Sequence, residues 1–331
     1  MKFLLLRLRR TGDIILTTPA VSALKAAFPG SELTYVVEEP YARLVQGHPC
    51  LDKVIVLERK MGRRAFWRLI RKIRKEKYDV VLDFHGGPRS SLLTLFSAAK
   101  TKVGYEVKYR RFIYDIRVPR ASSQGPVHSA ANHLNLVKAL GVAIPEPPPL
   151  LLPEARPKEA DRAKKVLAGP GRAVILHIGA GNQFRNWGAQ NIAGLLRLFD
   201  SRPDVRVYLA GGPDDLPAEA EIRELYGRPV RSLVGQLNLI ELREAISRAA
   251  LFIGPDSGPM HIAASTSTPI VAYFGPTLPA HFAPWKARAT AREKSLDCRP
   301  CRQRRCLYKD FRCLKTITPQ EVFSACREYI D

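Results

Sequence analysis

Short apolar runs alternate with longer helical patterns along the chain, and this alternation constrains the fold more than any other feature. Runs of this length suit the buried strands of a parallel sheet, because both faces of such a sheet are covered by helices. The first half predicts strands at Phe3–Leu8, Leu33–Val37, Val54–Leu57 and Val80–Asp83, and helices at Pro19–Phe28 and Arg64–Lys77. We therefore predict a parallel, helix-covered α/β sheet.

A proline-rich segment interrupts the alternation near the middle of the 331-residue chain. Residues 144–150, with Pro153 and Pro157 beyond them, carry more proline than a helix interior or a central strand tolerates. The alternation then resumes, with strands predicted at Ala173–Ile178, Val205–Ala210, Leu251–Gly254 and Ile270–Phe274, and helices at Gln190–Phe199, Ala218–Tyr226, Leu239–Ala250 and Pro319–Tyr329. We predict two doubly wound Rossmann-like domains, 1–155 and 156–318, facing a central cleft, and a terminal helix at 319–331.

The chain is strongly basic, with 53 Lys and Arg residues against 31 Asp and Glu residues and a formal net charge of +22. A field of this sign favours an anionic partner, which leaves nucleic acid, an anionic membrane surface and a phosphorylated substrate open. No helix-turn-helix, zinc-finger or aromatic RNA-stacking signature is present, so nucleic-acid binding is the weakest of these alternatives.

The amino terminus superficially resembles a signal peptide, but its apolar run, Phe3 to Leu6, is interrupted by Arg7. A buried first strand explains it better, since no small-residue cleavage site follows. No run reaches the roughly 18–20 apolar residues that a membrane-spanning helix needs. We expect a cytoplasmic protein whose membrane contact, if any, is peripheral.

Residues 254–261 lie where a strand meets a helix, in the order Gly-Pro-Asp-Ser-Gly-Pro-Met-His. Such a junction offers free backbone N–H groups and the positive end of a helix dipole, which suits a diphosphate leaving group. Asp and Ser are also ordinary helix caps and Pro is common in a first helical turn, so this local pattern alone supports a plain cap equally well.

The longer segment Gly254–Thr277 resembles the signature of the lipopolysaccharide heptosyltransferases, glycosyltransferase family 9. Three further segments are similar to that family: residues 6–20 to its opening strand, turn and helix; His177–Gly181 with Arg185-Asn186-Trp187 to its phosphate-binding segment; and Gly235 with Leu242 and Ala249-Ala250 to the run before the donor loop. The order and spacing cover nearly the whole chain, which is more specific than any one segment.

The resemblance implies a GT-B fold and an inverting transfer of heptose from ADP-heptose to the inner core of lipopolysaccharide. The acceptor, a phosphorylated lipid A–Kdo-type molecule, would bind the first domain and the nucleotide sugar the second. The terminal helix would pack back toward the first domain, and the enzyme would work at the inner face of the inner membrane of a Gram-negative bacterium. A GT-B enzyme that uses a different nucleotide sugar remains the alternative.

Asp13 follows the first predicted strand and is the candidate base. Inversion needs one group to take the proton of the acceptor hydroxyl, and a carboxylate in the acceptor domain meets that need. The matching Asp of the resembled family is its proposed base; otherwise Asp13 is a helix cap. Beside it, Thr11 and Gly12 are candidate acceptor contacts, and Gly12 would allow close approach of a substrate.

The predicted donor contacts follow the strands of the second domain. They are Gly179, Ala180, Arg185, Asp256, Ser257, Gly258, Met260 and His261. Arg185 stands where the family commonly has Lys, and its planar guanidinium suits a bidentate phosphate contact. Because no Asp-x-Asp element for a metal-bound diphosphate is present, we predict transfer without a catalytic metal or other cofactor.

The segment Arg59–Lys77 carries ten basic residues and one acidic residue, with Phe66, Leu69, Ile70 and Ile73 at helical spacing. A core-facing stripe with a solvated outer face explains this pattern, and so does a dock for the phosphorylated acceptor or the anionic leaflet. Arg63 and Arg64 at its start are candidate acceptor contacts. His85, which follows a predicted strand, either orients the acceptor or holds its own loop.

Cys298, Cys301, Cys306 and Cys313 are spaced C-x₂-C-x₄-C-x₆-C. In a cytosolic protein such clustering favours a metal over disulfides, and four thiolates suit structural zinc. The spacing is not among the strongest zinc patterns, so reduced thiols and disulfides also remain open.

Overall fold

The computed structural model describes residues 1–107, 109–120 and 125–331. Contacts between Cα atoms divide the chain into a first unit, Met1–Glu154, and a second unit, Ala155–Asp331. The predicted boundary, between residues 155 and 156, lies one residue further along the proline-rich segment.

The first unit is built on a six-stranded sheet whose neighbouring strands all run parallel. Its order, β3-β2-β1-β4-β5-β6, changes direction between β1 and β4. The strands are β1 (Lys2–Leu6), β2 (Glu32–Glu38), β3 (Lys53–Leu57), β4 (Val80–Asp83), β5 (Thr101–Tyr105) and β6 (Ile116–Val118). The helices are α1 (Thr11–Ile15), α2 (Thr18–Ala27), α3 (Arg63–Lys75), α4 (Pro88–Phe96) and α5 (Ser129–Lys138).

The second unit repeats this architecture with the order β12-β11-β10-β7-β8-β9, again all parallel. Its strands are β7 (Arg172–His177), β8 (Val205–Ala210), β9 (Arg231–Ser232), β10 (Leu251–Pro255), β11 (Ile270–Phe274) and β12 (Ala289–Glu293). Its helices are α6 (Pro157–Val166), α7 (Ala189–Phe199), α8 (Leu216–Tyr226), α9 (Leu239–Ser247), α10 (Gly258–Ala263), α11 (Pro279–Phe282), α12 (Arg312–Lys315) and α13 (Pro319–Ile330).

The change of strand direction locates a ligand crevice in each unit. Open α/β sheets bind ligands beyond the carboxyl ends of the two strands at which the order reverses. In the first unit these are β1 and β4, and in the second they are β7 and β10. Asp13, His85, Arg185 and Asp256 follow these four strands in turn, so the fold places these four of the predicted site residues at such crevices.

The apolar runs form strands because both faces of each sheet are covered. Phe3, Leu4, Leu5 and Leu6 of β1 are all fully buried, although successive side chains of a strand point to opposite faces. Burial of each such side chain stabilises the fold by about 1.5–3 kcal/mol relative to exposure. The predicted strand at 3–8 is shorter than expected, since β1 ends at Leu6.

The terminal helix α13 begins at a capping box and packs within the second unit. Thr318 accepts a hydrogen bond from the backbone N–H of Glu321 at 3.2 Å, and the Glu321 carboxylate accepts one from the N–H of Thr318 at 2.7 Å, which forms a capping box. Its buried residues Val322, Ala325, Cys326 and Ile330 belong to the core of the second unit, beside α7 and β10–β12. Packing of this helix toward the first unit stays a prediction.

Several elements were not predicted, namely α1, α4, α5, α6, α11, α12, β5, β6, β9 and β12. Strand β5 shows why, since its sequence, Thr-Lys-Val-Gly-Tyr, has no apolar run or clear alternation. Its Gly104 lies directly against the ring of Tyr114, where a Cβ atom would collide with that ring. None of the helices in the described part of the chain is long and apolar enough to cross a membrane.

Candidate active site

Asp13 is the third residue of α1, the short helix that follows β1, and its side chain is 28% exposed. The buried Arg7 holds it: Nη2 of Arg7 is 2.5 Å from Oδ2 of Asp13, and Nη1 donates to the carbonyl oxygen of Phe84 at 2.8 Å. The other oxygen, Oδ1, has no hydrogen-bond partner within the described ranges. A carboxylate fixed through one oxygen and open at the other is suited to accept a proton.

The backbone before Asp13 adopts an unusual conformation. Arg10, immediately before α1, has φ 73°, a left-handed region that is costly for a residue with a Cβ atom. Thr11 and Gly12 form the first turn of α1 and are half-buried beside Asp13. The turn thus brings the predicted acceptor contacts Thr11 and Gly12 next to the candidate base.

A buried carboxylate, Asp83, holds the loop after β4. Its Oδ1 accepts hydrogen bonds from the backbone N–H groups of His85 at 2.9 Å and Gly86 at 2.8 Å. Its Oδ2 accepts from Ser90 Oγ at 2.9 Å and from the Tyr114 hydroxyl at 2.7 Å. Burial raises the pKa of Asp83, and the four donated hydrogen bonds oppose that rise. This network fixes the loop that presents His85.

His85 is half-buried at the same edge of the sheet as Asp13. Its pKa is lowered to about 4, mainly by desolvation and also by the charges of Arg7 and Arg9, which act against an opposing effect of Asp13. The imidazole is therefore neutral at physiological pH, and its Nδ1 has no hydrogen-bond partner among the residues described. A neutral imidazole can orient a hydroxyl group without adding positive charge to the site.

Arg7 and His133 were not predicted as site residues. His133 of α5 is buried, its Nδ1 lies 2.6 Å from the hydroxyl of Tyr105, and its ring packs edge-on against Phe84. Burial, with the positive charges of Arg7 and Arg120, holds the pKa of His133 well below its usual range. No pattern pointed to His133, because the helix that carries it was not predicted.

Asp256 organises the donor loop of the second unit, which lies between β10 and α10. Its side chain is 3% exposed, and its Oδ2 accepts a hydrogen bond from Thr277 Oγ1 at 2.5 Å. Arg185 donates from Nη1 to the carbonyl oxygen of Asp256 at 3.0 Å, and the same nitrogen is 3.5 Å from Oδ2. His261 Nε2 lies 4.0 Å from Oδ1. Arg185 and His261, two predicted donor residues, therefore both lie within 4.0 Å of a third, Asp256.

Gln303 fixes the other side of Arg185. Its Oε1 accepts hydrogen bonds from Nε of Arg185 at 3.1 Å and from Nδ2 of Asn182 at 2.7 Å. Two phenylalanines, Phe184 and Phe311, pack edge to face nearby with ring centroids 5.5 Å apart. The segment that contains the cysteine cluster is thus hydrogen-bonded directly to Arg185, the candidate phosphate-binding residue. This connection was not predicted from the sequence.

The remaining residues of the donor loop are mostly enclosed. Ser257 is 6% exposed, and its Oγ has no hydrogen-bond partner in the described part of the chain. Gly258 begins α10, and His261 is 3% exposed. Met260 is fully buried in the core, so its predicted contact with the donor would require its side chain to move.

Gly179 and Ala180 follow β7, and Gly179 packs against the carboxylate of Asp215. A Cβ atom at Gly179 would collide with that carboxylate, whose Oδ2 accepts a hydrogen bond from the N–H of Gly212 at 2.8 Å. Burial raises the pKa of Asp215. Gly179 therefore has a packing reason for its small size, and Asp215 is a further polar group beside the predicted donor residues.

Arg63 and Arg64, the predicted acceptor contacts, are exposed at the start of α3. The helix buries Ile70 and Ile73, and Phe66 and Leu69 pack partly against the same core. The core-facing stripe that the sequence predicted is therefore confirmed. Contact of these arginines with an acceptor stays a prediction.

The four clustered cysteines, Cys298, Cys301, Cys306 and Cys313, carry free thiols and line one cavity of about 220 Å³. Burial raises the pKa of Cys313, and the neighbouring thiols add to the rise. Across the described ranges, no three His, Cys, Asp or Glu side chains are placed to hold a metal ion. Structural zinc at these thiols stays a prediction.

The sequence profile of glycosyltransferase family 9 (heptosyltransferase) matches residues 66–312. Lipopolysaccharide heptosyltransferase 3 of Escherichia coli is 27% identical over 293 residues, which cover 84% of this chain and 84% of that protein. Lipopolysaccharide heptosyltransferase 1 of Pseudomonas aeruginosa is 25% identical, with 93% of this chain and 88% of the relative covered.

Solved structures match nearly the whole chain. The glycosyl transferase family 9 structure from Veillonella parvula has a TM-score of 0.88 at 25% identity and covers 99% of this chain and 97% of its own. The ADP-heptose lipopolysaccharide heptosyltransferase II of E. coli has a TM-score of 0.80 at 22% identity, with 100% and 98% covered. The predicted GT-B fold is therefore confirmed.

Proposed function

Because the chain belongs to glycosyltransferase family 9, the heptosyltransferase family, we propose that it moves heptose from ADP-heptose to the inner core of lipopolysaccharide with inversion. The acceptor is a phosphorylated lipid A–Kdo-type glycolipid. The enzyme therefore acts as a peripheral protein at the cytoplasmic face of the inner membrane of a Gram-negative cell.

The observation that carries this proposal is that Arg185, Thr277 and His261 all lie against Asp256 in the donor loop. A cation, Arg185, is fixed by Asp256 and Gln303 beside a strand-to-helix turn whose backbone N–H groups are suited to an anion. During transfer, negative charge grows on the departing diphosphate. Arg185 stabilises that charge because its guanidinium is held in place before the reaction begins.

Proton transfer falls to Asp13. As the acceptor oxygen forms a bond to the anomeric carbon, the bond from that carbon to the diphosphate breaks, and ADP leaves from the opposite face. This single displacement inverts the configuration. The acceptor hydroxyl gives its proton to Oδ1 of Asp13, while Arg7 keeps Oδ2 in position. His85 and the first turn of α1 orient the acceptor.

A panel of nucleotide sugars tests the donor assignment. With a lipid A–Kdo-type acceptor present, we expect nucleotide release from ADP-heptose and at most background release from UDP- or GDP-activated sugars. Preferred turnover of another nucleotide sugar would instead establish the alternative, a GT-B transferase with a different donor. Omission of the acceptor is the control for simple hydrolysis.

Turnover is expected to be undiminished in excess EDTA. Arg185 and the turn at Asp256 supply the positive potential that other transferases obtain from a metal ion. Initial rates with and without the chelator measure this directly. Loss of activity that Mg²⁺ or Mn²⁺ restores would overturn the prediction of metal-independent transfer.

Gln303→Ala is expected to raise the KM for the donor by about tenfold, because Arg185 loses a charge-assisted hydrogen bond. Since Gln303 acts through Arg185 and does not touch the reacting atoms, kcat should change less than KM. Gln320→Ala, at an exposed position of α13, is the matched control. An unchanged KM in Gln303→Ala would remove Gln303 as a positioning residue.

A further inference from the structure

Helix α3 carries positive charge that is paired with no carboxylate of the residues that the structure describes. Seven basic residues lie on this helix, and none of them has an ion pair or a side-chain hydrogen bond within the described ranges: Arg63, Arg64, Arg68, Arg71, Lys72, Arg74 and Lys75. Elsewhere in the first unit, Lys25 pairs with Asp52 and Lys100 with Asp79. The charge of α3 is therefore available to an external anion.

Large apolar side chains are exposed beside this charge. Trp67 of α3 lies outside the core-facing stripe and is 49% exposed, and its ring centroid is 5.2 Å from that of Phe96 on α4. Leu92 and Leu95 of α4 are 43% and 36% exposed. Residues three or four apart are neighbours on a helix surface, so Leu92 lies beside both Leu95 and Phe96.

Together, Trp67, Leu92, Leu95 and Phe96 form a continuous apolar patch, called here the α3–α4 patch. Contiguous exposed apolar side chains, such as a half-exposed Trp near two exposed leucines, mark interaction surfaces in soluble proteins. Trp is favoured where an apolar medium meets water, and basic residues flanking an inserted apolar face bind anionic headgroups. The phosphates of a nucleic acid would bind the arginines, but nucleic acid would leave the aliphatic side chains of Leu92 and Leu95 without a partner.

We propose that the α3–α4 patch inserts into the interfacial region of an anionic lipid bilayer, with the seven basic residues of α3 binding its headgroups. This surface deepens the proposed function, since it is the part of the chain that holds an enzyme with a lipid acceptor at the membrane. Its insertion does not depend on which sugar is transferred.

The test measures cosedimentation of the full chain with vesicles of phosphatidylcholine alone and of phosphatidylcholine with phosphatidylglycerol. We expect binding only to the anionic vesicles, together with a blue shift of Trp fluorescence that Trp67→Leu abolishes. The pair Trp67→Ser with Leu92→Gln should lower the vesicle partition coefficient by about tenfold or more. Leu216→Gln, at a leucine that is 51% exposed in the second unit, is the matched control and should bind like the parent chain.

Charge is tested separately. Arg68→Glu with Arg71→Glu should also weaken vesicle binding, whereas Lys164→Glu with Lys165→Glu, at exposed positions of α6, should have little effect. If the Trp67→Ser, Leu92→Gln variant binds vesicles like the parent chain, the proposed insertion of the α3–α4 patch is wrong. The same holds if the parent chain binds duplex DNA but not anionic vesicles. Vesicle binding without nucleotide release from ADP-heptose would count against the proposed function alone.

Discussion

Asp13→Asn is expected to lower kcat by about 10²–10⁴-fold, which is the usual contribution of a positioned general base. The amide keeps the shape of the side chain but cannot take up the proton of the acceptor hydroxyl. The donor KM should stay within about twofold, because the change removes an interaction of the transition state and not of donor binding. Steady-state rates of ADP release over a range of donor concentrations measure both quantities.

The chain offers a close control for this substitution in Asp79→Asn. The Asp79 side chain is 27% exposed and pairs with Lys100 at 2.7 Å, much as the Asp13 side chain is 28% exposed and pairs with Arg7 at 2.5 Å. Asp79 precedes β4, at the opposite edge of the sheet from Asp13. Equal kcat values for Asp13→Asn and Asp79→Asn, with both variants folded, would remove Asp13 as the base.

Arg185→Ala is expected to lower kcat/KM for the donor by about 10²–10³-fold, as when a preorganised donor to a developing oxyanion is deleted. It also leaves the buried Asp256 carboxylate with fewer partners, so part of the loss should appear as a lower melting temperature. Arg185→Lys keeps the charge but not the planar guanidinium that bonds Asp256 and Gln303. Its kcat/KM should therefore lie between those of the parent chain and Arg185→Ala.

Arg172→Ala is the control for Arg185→Ala. Arg172 begins the same strand, β7, whose carboxyl end leads to Arg185, and it pairs with Asp204 at 2.7 Å on the surface. Its removal should leave kcat/KM unchanged. If Arg185→Ala retains the parent kcat/KM in a folded protein, Arg185 does not bind the diphosphate.

Much of the fold was predictable because buried parallel strands give short apolar runs with sharp ends. The predicted strands Val80–Asp83, Val205–Ala210 and Ile270–Phe274 match the observed bounds. Strand β12, with the sequence Ala-Thr-Ala-Arg-Glu, lies at the edge of its sheet and is only half-buried. Such an edge strand needs no apolar run, and its sequence accordingly gave no strand signal.

The candidate site could be proposed from the sequence where its residues follow strands in a recognisable pattern, as Asp13, Arg185 and Asp256 do. Several of their partners were not, because the sequence pattern carried no signal for them or because they come from a distant part of the chain. Arg7 was noticed only because it interrupts the first apolar run, although its buried guanidinium holds Asp13. Thr277 and Gln303 lie 21 and 118 residues from the groups that they bond, and only the tertiary fold brings them together.

The central claim is the transfer of heptose from ADP-heptose to a lipopolysaccharide inner-core acceptor. Mass spectrometry of a purified lipid A–Kdo-type acceptor, incubated with the chain and ADP-heptose, tests it most directly. We predict that each acceptor molecule gains a single heptose, in equal amount to the ADP released, and that Asp13→Asn gives almost none in the same time. An acceptor that stays unmodified while a different nucleotide sugar is consumed would contradict this account.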